Sequence, residues 1–305
     1  MKINIAILLI LFGGFSRKEY VNLATENPNV KNSFGMTYAQ STQSFSDTYA
    51  SLRANLVANE HIKIIAEVDH SANAASADLA LPPTKTIFFG NPNLGTPLMQ
   101  QNQLAGLDLP QKIMVYENGA QEVFIGFNNI PYLSARHGLE GVPTLPKIAG
   151  ALTQLTTHAS KGTLVGGNEQ PRLGQGIITK TGKRSFEEAY ASLRDAIANN
   201  PNLRIIAELD HQKNAAKVGL DLDPTRIVIF GNPKLGTPLM QNARTTALDL
   251  PQKILVWKNK EGVVHVSYND PHYLVSRHGI TEQNKVLGII TKALDKLSNI
   301  AVGNP

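Results

Sequence analysis

The chain has 305 residues, 42% of them hydrophobic, which is enough for two ordinary domains with cores of their own and argues against disorder. It contains no Cys, which excludes disulfides, thiol nucleophiles, iron–sulfur ligation and thiolate zinc sites, so any chemistry must use oxygen or imidazole groups. The formal charge of +5 divides unevenly, −3 over residues 35–160 and +5 over residues 177–305, but the basic residues are scattered without interleaved aromatics, which argues against nucleic-acid binding.

In chain order, Met1-Lys2, the apolar run Ile3 to Phe12 and the small residues after it form the charged and apolar parts of a secretory signal over residues 1–16. Gly14 and Ser16 make a tolerable cleavage pair, with an uncleaved anchor or a misassigned start as alternatives. The run is too short to span a bilayer comfortably, so the expectation is export, to a periplasm, without a stable membrane span. Met36 to Ser41 then reads as a strand. Ser44-x-x-Asp47, a capping-box pattern, opens a helix with Phe45, Tyr49, Leu52 and Leu56 along one stripe. The next strand alternates, with Ile62, Ile64, Ala66 and Val68 on one face and Lys63, Ile65, Glu67 and Asp69 on the other.

The run Thr86 to Phe89 is apolar throughout and suits a central strand. Lys112 to Tyr116 and Val123 to Phe127 flank Asn118-Gly119, a hairpin signal. A short Pro-started helix ends at Gly138, and a longer one follows. The order predicts an α+β fold in which helices pack on one face of an antiparallel sheet.

The whole pattern then repeats. Ala66 to His70 recurs as Ala207 to His211, an offset of 141 that also pairs Gly90-Asn91-Pro92 with Gly231-Asn232-Pro233 and Arg136-His137-Gly138 with Arg277-His278-Gly279. Leu94 to Gln100 matches Leu235 to Gln241, and Leu107 to Lys112 matches Leu248 to Lys253. No gap is needed from Gly35 to Gly138, and about half the positions are identical, which marks duplication of a whole domain. Residues 35–160 and 177–305 are therefore the two repeats, with 161–176, rich in Gly and Thr, as linker. Each is expected to fold around its own core and to pack on the other across an approximate twofold axis, a contact that their unlike charges would favour.

Asp-His, Phe-Gly-Asn-Pro-x-x-Gly-Thr-Pro-Leu-Met-Gln, Leu-Asp-Leu-Pro-x-Lys and Tyr-x-x-x-Arg-His-Gly, in that order in both repeats, resemble the domain-of-unknown-function family 302 over nearly their full length. The resemblance implies a compact, TATA-binding-protein-like α+β fold for each repeat and carries no activity or cofactor.

Several side chains are candidates for a site. His70 and His211 follow an Asp at a strand end, where imidazole serves as base, ligand or donor; equally, Asp69 and Asp210 cap the next helix and the His sits in its first turn. Glu67 and Asp69, two apart on one strand face, read as an acid/base pair or as an exposed polar face. Asn91 and Asn232 follow the central strand, where a turn is expected. Thr96-Pro97 and Thr237-Pro238 read as helix starts with N–H groups open to an anion. Arg136-His137 and Arg277-His278 suit a helix C-terminus or an acidic ligand. The expected site, in the second repeat, joins His211, Asn232 and Thr237, with Arg277 and His278 as further candidates and a parallel set in the first. A lone imidazole with a few carboxylates is a poor transition-metal site, so a small organic molecule or oxyanion is the expected partner. No phosphate loop, nucleophile elbow or dinucleotide fingerprint is present. The sequence reads as a binding module, with an acid–base or metal-assisted enzyme using the Asp-His and Asn-Pro loops as the alternative.

Overall fold

The computed structural model describes residues 34–167 and 169–304; the expected export signal at residues 1–16 lies outside them. The first repeat contains β1 (Met36–Gln40), α1 (Phe45–Val57), β2 (Lys63–Asp69), α2 (His70–Ala75), β3 (Thr84–Gly90), α3 (Pro92–Gln101), a 3-10 turn (Gln103–Leu107), β4 (Gln111–Glu117), β5 (Val123–Asn128), α4 (Ile130–His137) and α5 (Leu145–Ser160). The linker adds a short strand, β6 (Val165–Gly166), which pairs with the edge of β1. The second repeat follows as β7 (Ile177–Gly182), α6 (Phe186–Ala198), β8 (Arg204–Asp210), α7 (His211–Ala216), β9 (Thr225–Gly231), α8 (Pro233–Asn242), a second 3-10 turn (Arg244–Leu248), β10 (Gln252–Lys258), β11 (Val264–Asn269), α9 (Pro271–Arg277) and α10 (Asn284–Val302).

All strand pairs are antiparallel, in the orders β2-β3-β4-β5-β1-β6 and β7-β11-β10-β9-β8. The fold is α+β and duplicated, as the periodicities and the repeat predict. Local signals act where expected. The Ser44 side chain accepts from the Asp47 N–H, and Ser185 with Glu188 completes a reciprocal capping box. Gly138 ends α4 at φ 62°, a left-handed cap that suits glycine.

The alternation of β2 does not hold along its length. A bulge between Ile64 and Ala66 shifts the register, so Ile64 joins the helix-side core while Ala66 and Val68 face the other repeat. Glu67 consequently points to the helices, where it accepts from Tyr49 Oη at 2.8 Å and Arg53 Nε at 3.0 Å. β8 carries the same shift between Ile205 and Ala207.

Each repeat has a helix-side core: Leu52, Leu56, Leu152 and Leu155 cover Ile87, Ile113 and Ile125 in the first, and Leu193, Ile197, Leu294 and Leu297 cover Val228, Ile254 and Val266 in the second. The opposite sheet faces are also apolar, and they bury against the other repeat. Val68, Phe88 and Leu107 meet Leu209, Ile227, Ile229 and Leu255, while Met36, Met114, Tyr116 and Phe124 meet Met240, Ala247, Leu248 and Leu250. Burial on both faces explains why Ile87 to Phe89 of β3 and Ile227 to Phe230 of β9 are unbroken apolar runs.

Each repeat lays its 3-10 turn on the sheet of the other, the first on β9 to β11 and the second on β3 to β5. The contacts are reciprocal. Gln100 Nε2 donates to the Asp221 carbonyl at 2.7 Å, and its counterpart Gln241 donates to the Ala80 carbonyl at 2.7 Å. That reciprocity is what an isologous pairing produces. The unlike net charges of the halves take no direct part, since among the described residues no ion pair crosses between repeats. Apolar area and shared hydrogen bonds hold the interface instead.

Candidate functional site

The expected site residues fall mainly into two places, with His211, Asn91 and Thr96 in neither. Arg136, His137, Arg277 and His278 stand at helix C-terminal ends as expected, but all four are buried and belong to a polar network on the axis between the repeats. Arg136 Nη1 donates to Asp108 Oδ2 at 2.6 Å, and His137 Nε2 donates to the same oxygen at 2.8 Å. Arg277 and His278 treat Asp249 alike, at 2.7 and 2.8 Å. Each guanidinium then crosses to the other repeat: Arg136 Nη2 reaches Asn269 Oδ1 at 2.8 Å, and Arg277 Nη2 reaches Asn128 Oδ1 at 2.8 Å. Arg136 Nε also donates to the Gln175 carbonyl and Arg277 Nε to the Phe34 carbonyl.

In this network Asp108 and Asp249 are held far below the usual carboxylate range. Burial alone would raise them, but the adjoining guanidinium and imidazole groups outweigh it. Burial lowers His137 and His278, which remain neutral donors. Sequence reasoning gave Asp108, Lys112, Asn128 and Tyr132 and their counterparts no role. The signal available was a charged residue set in an apolar frame, Leu107-Asp108-Leu109 and Leu248-Asp249-Leu250, in both repeats.

The second place is a cleft between the repeats, with a volume of about 380 Å³. His70 and Asn73 on α2 and Ser76 at its C-cap line one side, and Arg204, Asn232, Lys234 and Thr237 line the other, over a floor that includes Met240, Leu250, Ile290 and Leu294. His70 therefore joins Asn232 and Thr237 of the opposite repeat. The expected grouping of His211 with Asn232 and Thr237 is crossed over, because α2 packs against α8 and α7 packs against α3. His211 and Arg277 do not line this cleft, and Asn91 and Thr96 belong to the helix that α7 packs on.

The helix start also differs from expectation. Asn232, not Thr237, caps α8: its side chain accepts from the Lys234 N–H at 2.9 Å and its carbonyl takes the Leu235 and Gly236 N–H groups at 3.0 and 2.9 Å. Pro233 has no N–H to offer. The first-turn donors are thus spent within the turn, and Thr237 and Pro238 lie inside the helix. The first repeat does the same with Asn91, Pro92, Thr96 and Pro97. An Asn-Pro start five residues upstream outcompetes Thr-Pro because its side chain, carbonyl and proline ring together satisfy the whole first turn.

Asp69 and Asp210 cap α2 and α7 through the Ala72 and Lys213 N–H groups. Asp210 also receives Arg226 Nε at 2.7 Å, so neither Asp is free to pair with its His as acid and base. Burial pushes His70 and His211 down to about 4, leaving both imidazoles neutral near pH 7. Among the described residues, His70 Nε2 and Thr237 Oγ1 are buried without a hydrogen-bond partner. The cleft has two cations on its lining, Arg204 and Lys234, and no carboxylate. Its chemistry suits an apolar ligand body with a negatively charged or acceptor end. Among the described residues no group of three or more His, Asp or Glu is placed to hold a metal, and no helix is long and apolar enough to cross a membrane.

Comparison with known proteins places both repeats. The model of the family described as "Domain of unknown function DUF302" matches residues 37–156 and again 178–297. Fluoride-specific ion channel FluC 1 of Brucella suis biovar 1 is 38% identical over 105 residues, covering 34% of this chain and 41% of that protein. FluC 2 of Brucella melitensis biotype 1 is 38% identical over 105 residues, 34% of this chain and 38% of that protein. The chain thus spans about two fifths of the length of the curated relatives it matches. A crystal structure of an uncharacterized conserved DUF302 protein from Bacillus stearothermophilus aligns at 16% identity and a TM-score of 0.38, covering 42% of this chain and 98% of that one.

Proposed function

We propose that this chain, which belongs to the DUF302 family in both of its repeats, is a binding protein that takes a small amphiphilic anion into the cleft between them. The observation that carries the reading is the lining. An apolar floor of Met240, Leu250, Ile290 and Leu294 lies below Arg204 and Lys234, with no carboxylate to neutralise them. A pocket of this size that is mostly apolar, with a few convergent polar groups, is the usual form of a small-molecule site. The buried His70 Nε2 and Thr237 Oγ1 add polar atoms that a ligand can satisfy, which contributes specificity because unmet buried polar groups are costly. The relatives named as fluoride-specific channels handle an anion, which agrees with the sign of the charge, although they are matched over only part of their length. Export through residues 1–16 belongs to the same proposal and is checked by fractionating cells that express the full chain.

Binding is tested by thermal unfolding of the full chain with octanoate and, at equal concentration, octanol. Octanoate should raise the midpoint more than octanol, as a ligand of the folded state does by mass action. Arg204→Ala with Lys234→Ala should erase the difference without impairing folding, since both side chains are exposed. Equal effects of the two compounds on the wild type would reject an anionic ligand.

A further inference from the structure

The two sheets differ at one edge. In the first, Gly166 and Val165 of β6 pair with Thr37 and Tyr38, so β1 is bonded on both sides; in the second, β7 pairs with β11 alone among the described residues. Burial follows the pairing. Met36 and Ala39 of β1 are buried, whereas Thr179 and Thr181 of β7 are exposed and Ile177 and Ile178 are only half-buried. An edge strand offers a row of unpaired N–H and C=O groups, which invites another strand unless something covers it.

The cover of β1 comes from the chain that leads into the second repeat. Leu164, just before β6, packs on the helix-side core of the first repeat, and Asn129 Nδ2 donates to the Gly167 carbonyl at 3.1 Å. The same stretch ends at Gln175, whose carbonyl accepts from Arg136 Nε at 3.0 Å. The entry to the first repeat is held alike from the other side: the Phe34 carbonyl accepts from Arg277 Nε at 2.8 Å. Gly35 and Gly176 follow, at φ 73° and 68°, and their carbonyls accept from the Asn129 and Asp270 N–H groups at 3.0 and 2.9 Å. Each repeat is thus entered from a point held by the other, and the chain reaches Phe34 from beside the second repeat. At the offset of 141 that relates the repeats, Leu23, Asn27 and Lys31 match Leu164, Asn168 and Arg172, so the duplicated unit continues upstream of Gly35 without a gap.

We infer that residues 23–25 add a strand to the open edge of β7, as residues 164–166 do to β1, with Ala24 and Thr25 set against Thr179 and Ile178. The segment is tethered at Phe34, so it reaches this edge at a high effective concentration, which a second copy of the chain does not share. The surface is separate from the cleft, which β7 does not line.

The chain has no Cys, so introduced cysteine pairs report the contact without background. In the full chain, Ala24→Cys with Thr179→Cys should form an intramolecular disulfide under mild oxidation, because opposed residues of antiparallel strands lie close enough to bridge. Val165→Cys with Tyr38→Cys, a pair already opposed in the first sheet, sets the expected yield. Ala24→Cys with Lys63→Cys, at the exposed start of β2 in the first sheet, sets the chance level. Leu23→Cys and Thr25→Cys in place of Ala24→Cys cover a slip of one residue. A yield near that of the Val165 pair and several-fold above chance supports the added strand. A yield at chance in all three positions, or a disulfide-linked dimer through Thr179→Cys, would overturn it, the dimer in favour of a second copy on this edge. Hydrogen exchange gives a reading without cysteines. A chain that starts at Phe34 should exchange faster than the full chain along β7 and at the same rate along β1; equal rates along β7 with and without the upstream residues would overturn the inference as well.

Discussion

The Tyr132 hydroxyl lies 3.0 Å from the Tyr273 hydroxyl, so two residues 141 positions apart in the sequence meet on the axis that relates the repeats. The Arg277 guanidinium sits over the Tyr132 ring at 4.1 Å from its centroid, and Arg136 sits over Tyr273 at 5.2 Å. Each arginine is thus tied to its own repeat by an aspartate and to the other by an asparagine, so the network is a shared part of two domains.

Loss of either aspartate should therefore be severe. Asp249→Ala strands a buried guanidinium and removes the acceptor of His278. A cost of about 3–5 kcal/mol is expected, and the same for Asp108→Ala, measured by urea unfolding. A loss within the range of an exposed ion pair, under about 1 kcal/mol, would show that the network relaxes freely.

Gly176 has φ +68° and its carbonyl accepts from Arg136 Nη2 at 3.1 Å; an added Cβ would overlap the Tyr273 ring. Gly176→Ala should cost more than about 2 kcal/mol, from left-handed strain and the overlap together. Gly262, at φ +83° with open space around it, should cost only about 1 kcal/mol as Ala. Similar effects at both positions in chemical denaturation would mean that the tyrosine can move aside.

Burial lowers His70 and His211 to about 4 from the ordinary value near 6.5. The sign follows from linkage. Below about pH 6.5 the unfolded chain takes up protons that the folded chain refuses until about pH 4, so stability falls across that window as pH drops. Each histidine contributes on the order of 3 kcal/mol to the fall. Lys253, lowered by burial and by Lys112, acts in a higher window, where stability should rise from about pH 7 towards the ordinary lysine range. His70→Gln with His211→Gln should flatten the acid limb of a stability–pH profile and leave the alkaline limb unchanged. An acid limb as steep as that of the wild type would assign it to other groups.

Residues 35–160 and 177–305, expressed apart, each keep a helix-side core but expose the face that carries Phe88 or Ile227 and Leu255. Each half should form a homodimer that reproduces the reciprocal contacts, and a refolded mixture should yield the heterodimer. Stable monomeric halves in size-exclusion chromatography would contradict a shared core.

The duplication, the order of elements along the chain and most caps were legible because they are written in local terms: a fixed offset, a period of two or 3.6, a Ser or Gly at a helix end. The crossed pairing of the repeats was not. Nothing local in the Asp69-His70 segment distinguishes packing on its own Asn91 helix from packing on the helix that Asn232 caps. The β2 bulge was hidden because Ile64 and Ile65 are both apolar and either face accepts them. Arg136 and His137 were legible as the last turn of a helix, but not as a buried network, because their partner Asp108 lies 28 positions away in a segment with no periodic signal. Asn91-Pro92 read as a turn and Thr96-Pro97 as the helix start; placing the start at Asn91 instead requires knowing that the asparagine side chain reaches the Asn93 N–H, 2.9 Å away.

The claim that the cleft between repeats is the binding site is tested most directly by methyl NMR of the full chain during titration with octanoate. Met240, Ile290 and Leu294 line the cleft, while Leu52 and Leu56 sit in the helix-side core of the first repeat. Saturable shifts confined to the first three, and lost in Arg204→Ala with Lys234→Ala, are the predicted result. Silent cleft methyls, or shifts centred elsewhere, would contradict the account.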